Sequence, residues 1–276
     1  MPDKKVSLGA FSVSNGGPLF FIAGTCAFES SRLLERVGRT LKAAYSRLGA
    51  RWVLKCSFDK ANRSSLRSYR GRSMGEALEA FARLKKDLRV PFLTDIHEPA
   101  QAGIVAKVAD ILQVPAFLCR QTDLLLAAGK SGAVVNIKKG QFLSPWDMRN
   151  AVEKVESTGN RRILLTERGA SFGYANLVVD MRGLQIMREE LGYPVVFDAT
   201  HSCQLPGALG HATGGQRAFV PALARAAVAG GIAGVFLETH PDPDNAKSDG
   251  PNSLRLSDAP RLCRDLLAVD RLIKRL

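Results

Sequence analysis

The sequence predicts an α/β protein of the (β/α)8, or TIM, barrel class: a single domain over residues 1–276, with residues 1–18 as an N-terminal β-hairpin extension. Three observations lead there. Eight short apolar or β-branched runs alternate strictly with eight longer amphipathic stretches, and such alternation needs parallel strands joined by right-handed crossovers. The eight units fill about 255 residues, matching the ~250 typical of a closed barrel. An open doubly wound sheet is the alternative, but Cys26-Ala27-Phe28-Glu29-Ser30 after the first strand lacks the Gly-rich phosphate turn that such a sheet carries there.

Taken in order, the alternation Val6-Ser7-Leu8-Gly9-Ala10-Phe11 and the Asn15-Gly16 pair predict the hairpin, placed as a plug at the N-terminal end of the barrel. Strands follow at Phe20–Cys26, Trp52–Phe58, Pro91–Ile96, Ile111–Ala116, Ala133–Lys139, Arg162–Arg168, Val195–His201 and Gly234–His240. Helical spacing falls between them at Ser31–Leu48, Gly75–Leu88, Pro99–Val108, Thr122–Gly129, Pro145–Ser157, Asp180–Leu191 and Gln216–Gly230, and a last helix spans about Ser257–Leu276.

Composition narrows the class of function. With 46% hydrophobic and 24% charged residues the chain buries a sizeable core, which excludes a disordered tail or a disulfide-stapled miniprotein. No uncharged apolar run approaches the ~18 residues that cross a bilayer, and the start, MPDKK, has no apolar h-region of a secretory signal. Five scattered cysteines without a C-x-x-C pair fit reduced thiols and a cytoplasmic location. Lys and Arg number 39 against 26 Asp and Glu, a net charge of +13 that favours anionic partners. The basic residues form no run and no recognisable nucleic-acid module, so a basic nucleic-acid-binding protein is the weaker reading.

A barrel carries its chemistry at the C-terminal strand ends. Those ends hold Cys26, then Lys55 and Ser57, Asp95 and His97, Gln113, Asn136 and Lys138, Glu167 and Arg168, Asp198 and His201, and Glu238, with Asp249 in the loop beyond. Closure sets the last strand beside the first, gathering Cys26, His201, Glu238 and Asp249 into one quadrant; these donor types suit zinc, iron or manganese, and a buried thiol beside a His–Glu pair is the plain alternative. Lys55, Lys60, Lys138 and Arg168 form a second cluster, whose mutual repulsion an anionic phosphate or carboxylate relieves.

At this point the chain resembles the 3-deoxy-D-manno-octulosonate 8-phosphate synthase (KDO-8-phosphate synthase) family. The matching strings include Lys55-Cys56-Ser57-Phe58-Asp59-Lys60-Ala61-Asn62-Arg63-Ser64-Ser65, Gln113-Val114-Pro115-Ala116-Phe117-Leu118-Cys119-Arg120, Asn136-Ile137-Lys138-Lys139-Gly140-Gln141-Phe142 and Phe197-Asp198-Ala199-Thr200-His201. The resemblance implies condensation of phosphoenolpyruvate with arabinose 5-phosphate and water, releasing phosphate. It implies a phosphoenolpyruvate pocket from Lys60, Lys138, Arg168 and the backbone at Ala116-Phe117, with Lys55, Ser57 and Gln113 beside it. Asn62, Arg63 and Ser64 are implied as arabinose 5-phosphate contacts, Asp95, His97 and Lys60 as proton handlers, and a homotetramer as the assembly. Cys26 at the end of the first strand is similar to the metal-dependent branch, which strengthens a divalent-ion site at Cys26, His201, Glu238 and Asp249, with the thiolate as ligand and not as nucleophile. No nucleic acid and no membrane enters this reading. Two departures stand out: Cys56 where serine is common, and Ala175 where asparagine is common. The nearest rival is the sister synthase that uses erythrose 4-phosphate, which differs in the loop Lys60–Ser65.

Overall fold

A computed structural model describes the whole chain except residues 63, 64, 67 and 209–212. Eight parallel strands form the barrel: β1 (Phe20–Ala27), β2 (Arg51–Ser57), β3 (Phe92–Asp95), β4 (Ile111–Val114), β5 (Val134–Lys138), β6 (Ile163–Glu167), β7 (Val195–Asp198) and β8 (Gly234–His240). Each pairs with its sequence neighbour, and β8 pairs with β1, with Glu238 opposite Gly24, so the sheet closes. Every residue of β1 is buried, as expected of a parallel strand covered on both faces.

The helices α1 (Ser31–Arg47), α2 (Met74–Leu88), α3 (Pro99–Val105), α4 (Thr122–Lys130), α5 (Met148–Glu156), α6 (Arg182–Leu191), α7 (Val220–Ala229) and α8 (Ala259–Ile273) surround it. Their starts carry local signals. The Ser30 side chain accepts the Leu33 N–H at the head of α1, and α6 stops at Gly192, whose φ of 69° suits glycine. On α1, Leu34, Val37, Leu41 and Tyr45 form the stripe that packs on the barrel.

The hairpin forms, but not at the predicted turn. Val6–Ser7 pairs with Ser12–Val13, and the chain reverses through Leu8–Phe11, where the Leu8 N–H donates to Phe11 O at 2.8 Å. Asn15-Gly16 does turn the chain, just beyond the hairpin, where the Gly17 N–H donates to Ser14 O at 3.1 Å, and it is an anchor as well: the Asn15 side chain donates to Tyr193 O (2.9 Å) and accepts the Val195 N–H (2.8 Å), fastening the segment where β7 begins. The Asn-Gly pair is the turn its sequence suggests, but it does not join the hairpin strands, and its side chain serves the barrel's N-terminal rim. Two small antiparallel pairs were not anticipated, Ala170–Ser171 with Leu177–Val178 and Gln204–Leu205 with Gly214–Gly215; both lie in loops at the opposite, C-terminal mouth.

One irregularity shapes the site. The β1–β2 register shifts between Gly24 and Ala27, so one extra residue enters β1. A Cβ on Gly24 would fall 1.9 Å from Lys55 O, so only glycine permits the approach. Gly24 stands in register between Glu238 and Lys55, and with no side chain there Lys55 reaches across to Glu238.

Candidate active site at the barrel mouth

The strand ends converge on one cleft lined by Lys60, Asn62, Asp95, His97, Gln113, Ala116, Phe117, Lys138, Arg168, His201, Glu238 and Asp249, together with Gln141, Gln204 and Thr213. Lys55 and Ser57 lie just behind that lining. Lys55 Nζ donates to Glu238 Oε1 at 2.5 Å and to Cys26 O at 2.8 Å, and Ser57 Oγ donates to Asp95 Oδ2 at 2.9 Å. Of the loop after β2, Asn62 faces the cleft, whereas Arg63 and Ser64 lie outside the described residues.

The cations are not bare, as the repulsion argument had them. Lys138 pairs with Asp198, Lys60 Nζ lies 3.8 Å from Asp95 Oδ2 and 3.9 Å from Glu238 Oε1, and Lys55 pairs with Glu238. Protein carboxylates supply the opposite charge that buried ammonium groups need. Burial lowers the Lys60 pKa, but Cys26, Asp95, Glu238 and Asp249 raise it further, so Lys60 is held firmly cationic. For Lys138 burial wins over Asp198 and Glu238, and its pKa is pulled down. Arg168 is pulled down by burial as well; its Nη2 donates to Gln204 Oε1, while Nη1 is buried without a partner. An unpaired guanidinium N–H beside two lysines is a ready donor to an anion.

Next to this cluster, Cys26, Glu238 and Asp249 present ligand atoms that all lie within 4.8 Å of one another. His201 Nε2 sits 3.6 Å from Glu238 Oε2 and 4.0 Å from Asp249 Oδ2. The donor set of thiol, imidazole and two carboxylates suits a borderline divalent ion. Glu238 Oε2 is buried with no hydrogen-bond partner, which an ion would resolve. The residues therefore fit the group. Burial, with Asp249 and Glu238, pushes the Cys26 thiol well up, and Sγ donates to Asp249 Oδ2 at 3.0 Å. Asp249 itself takes a left-handed backbone, φ 52°.

Three residues of the site escaped the sequence reading of roles. A chain of hydrogen bonds runs across the mouth from Thr166 Oγ1 to Asn136 Oδ1 (2.6 Å), from Asn136 Nδ2 to Gln113 Oε1 (3.0 Å), and from Gln113 Nε2 to Asp95 Oδ1 (2.9 Å). It ties the floor of the cleft over five strands and fixes which oxygen of Asp95 faces Ser57. Asp198 is the third, joined to both Lys138 and His201. Polar residues at strand ends were the available signal; their partners depend on closure. Cys56 points the other way, into the core, where Thr25 Oγ1 donates to it at 3.2 Å and burial pushes its thiol up to about 12. The serine-to-cysteine departure thus lies outside the cleft lining.

A closed parallel barrel with buried cations and a group of side chains that could hold a metal ion gathered at its C-terminal mouth has the architecture of an enzyme. More specifically, residues 5–274 match the model of the DAHP synthetase I family, and the chain belongs to that family. It is 55% identical over 275 residues to the 2-dehydro-3-deoxyphosphooctonate aldolase of Chelativorans sp., with 99% of each chain covered. It is 56% identical over 269 residues to the enzyme of that name from Nitrobacter winogradskyi, covering 98% of this chain and 94% of that one. The Brucella ovis protein of the same name is 56% identical over 272 residues, 98% of each. No helix among the described residues is long and apolar enough to cross a membrane.

Proposed function

We propose that this chain condenses phosphoenolpyruvate with D-arabinose 5-phosphate and water to give 3-deoxy-D-manno-octulosonate 8-phosphate and phosphate, as its relatives' names indicate. The observation that carries the reading is the adjacency, in one cleft, of Lys60, Lys138 and the unpaired Arg168 Nη1 to the Cys26–Glu238–Asp249 group, with His201 beside its two carboxylates. In this reading Lys60, Lys138, Arg168 and the backbone at Ala116-Phe117 hold the phosphate and carboxylate of phosphoenolpyruvate, with Lys55, Ser57 and Gln113 bracing them from beside and behind. Asn62, Arg63 and Ser64 take arabinose 5-phosphate.

Carbon–carbon bond formation joins C3 of phosphoenolpyruvate to the sugar aldehyde while water adds at C2. Charge that develops at those atoms is met by fixed groups, with Asp95, His97 and Lys60 placed to move protons. Fixing both anionic substrates removes much of the entropic barrier to their encounter. A divalent ion held by Cys26, His201, Glu238 and Asp249 would supply Lewis acidity and a polarised water or aldehyde oxygen. The protein is proposed to work in the cytoplasm as a homotetramer, with neither nucleic acid nor membrane as partner.

The erythrose 4-phosphate reaction is the second reading, since the matching family model carries the name of that synthase. Product assays with both sugar phosphates separate them. Turnover with arabinose 5-phosphate that disappears on chelation and returns with a divalent ion is the expected result. Turnover with erythrose 4-phosphate alone would overturn it, and turnover indifferent to chelator, with no metal bound, would overturn the ion site.

A further inference from the structure

One buried carboxylate outside the assigned residues touches both halves of the cleft. Asp198 closes β7 and is wholly buried. Its Oδ2 accepts from Lys138 Nζ, a member of the cation cluster, and from His201 Nδ1 at 2.7 Å, a member of the ligand group. Its Oδ1 accepts the His201 backbone N–H at 2.9 Å and the Thr200 hydroxyl at 3.1 Å. We propose that Asp198 is a positioning residue that couples the divalent-ion site to the phosphate-binding site, so that an ion in one tightens the hold on an anion in the other. The proposal rests on the reading of the two sites given above.

Two physical arguments support it. An imidazole binds an ion through one nitrogen when the other carries the proton, and a carboxylate at Nδ1 selects that tautomer and fixes the ring. Asp198 does this for His201, leaving Nε2 directed at Glu238 Oε2 and Asp249 Oδ2. The same carboxylate oxygen also fixes the Lys138 ammonium, which lies 3.4 Å from His201 Nδ1 and 4.0 Å from the Phe236 ring centre. Ring orientation and ammonium position therefore share one anchor, and neither shifts without disturbing the other.

The second argument is charge. Lys55, Lys60, Lys138 and Arg168 are offset formally one for one by Asp95, Asp198, Glu238 and Asp249, all of them buried. A divalent cation leaves such a cleft with surplus positive charge, and a phosphate dianion leaves it with surplus negative charge. Each improves the setting for the other, and linkage requires the two effects to be equal.

The test uses the full-length protein, stripped of metal, with Mn2+ titrated and free Mn2+ read by electron paramagnetic resonance, with and without saturating inorganic phosphate. Phosphate is expected to tighten Mn2+ about 5- to 150-fold, and Mn2+ to tighten phosphate by the same factor. Asp198→Asn is expected to weaken Mn2+ about 10- to 100-fold and to bring the coupling factor close to one. Thr200→Val, which removes the hydroxyl that steadies Asp198 Oδ1 and also accepts the Glu238 backbone N–H at 3.2 Å, keeps the question answerable should the first variant not fold, and is expected to weaken Mn2+ and to lower the factor part of the way. A wild-type factor of one overturns the coupling while leaving both sites standing. Variants that bind more weakly but keep the wild-type factor overturn the role of Asp198. No Mn2+ bound by wild type overturns the ion site itself, and the coupling with it.

Discussion

Arg168 shows how much a single side chain carries at this mouth. Its Nη1 is buried without a partner, and a buried unpaired donor costs about 1–3 kcal/mol, which a bound phosphate or carboxylate offsets. Arg168→Ala is expected to weaken phosphoenolpyruvate binding roughly 10- to 150-fold in titration calorimetry, the equivalent of about 1.5–3 kcal/mol for a hydrogen bond to a charged group. Thermal melting should move little; equal affinity in wild type and variant would contradict the assignment. His97 makes a pH prediction. Burial lowers its pKa, outweighing Asp95 and Asp59, so the folded protein favours neutral imidazole more than the unfolded chain does. Its stabilising contribution is then complete above the ordinary histidine value of ~6.5 and is lost as pH falls below it. Urea unfolding of wild type against His97→Gln should show a gap that narrows on acidification across that range, and a gap independent of pH would count against it. The residue types of the cleft were legible in the sequence because polar groups at eight successive strand ends have no other reason to gather. The roles of Asp198, Asn136 and Thr166 were not, because a carboxylate or amide takes its meaning from a partner on another strand.

At the scale of elements, buried parallel strands begin as contiguous apolar runs, and β8 lies at its predicted bounds, Gly234–His240, polar end included. At β7 the expectation overran: Val195–His201 was expected, yet the strand stops at Asp198, whose side chain accepts the His201 backbone N–H, and His201 opens a 3-10 turn. Two backbone positions give direct tests. Gly24 tolerates no Cβ beside Lys55 O, so Gly24→Ala should destabilise by the upper part of the ~1–3 kcal/mol that overpacking costs, and should disturb Lys55–Glu238 with it. Ala175, noted in sequence as a departure from asparagine, adopts φ 49°, where asparagine and glycine are favoured and alanine is strained. Ala175→Gly or Ala175→Asn should raise stability by about 0.5–1 kcal/mol in chemical denaturation, and a loss of stability would refute that reading.

Across the whole molecule, closure makes everything else possible: it alone brings Cys26, near the start of the chain, within 3.0 Å of Asp249, near its end. The eight-fold alternation announced that closure, whereas the hairpin's turn was misplaced because Asn15 serves a tertiary contact that local pattern does not encode. Asn15→Ala should cost about 1–3 kcal/mol by stranding the Tyr193 carbonyl and Val195 N–H, with the distant mouth still active. In the proposed reading the cleft unites an anion cradle and an ion-binding group, and the most direct trial of that union is a product assay on chelator-treated protein offered phosphoenolpyruvate with arabinose 5-phosphate or erythrose 4-phosphate, before and after a divalent ion is restored. Octulosonate 8-phosphate formed only with the pentose phosphate, and only after the ion returns, is the result expected. Heptulosonate product from the tetrose phosphate alone, or full turnover by demonstrably metal-free protein, would contradict it.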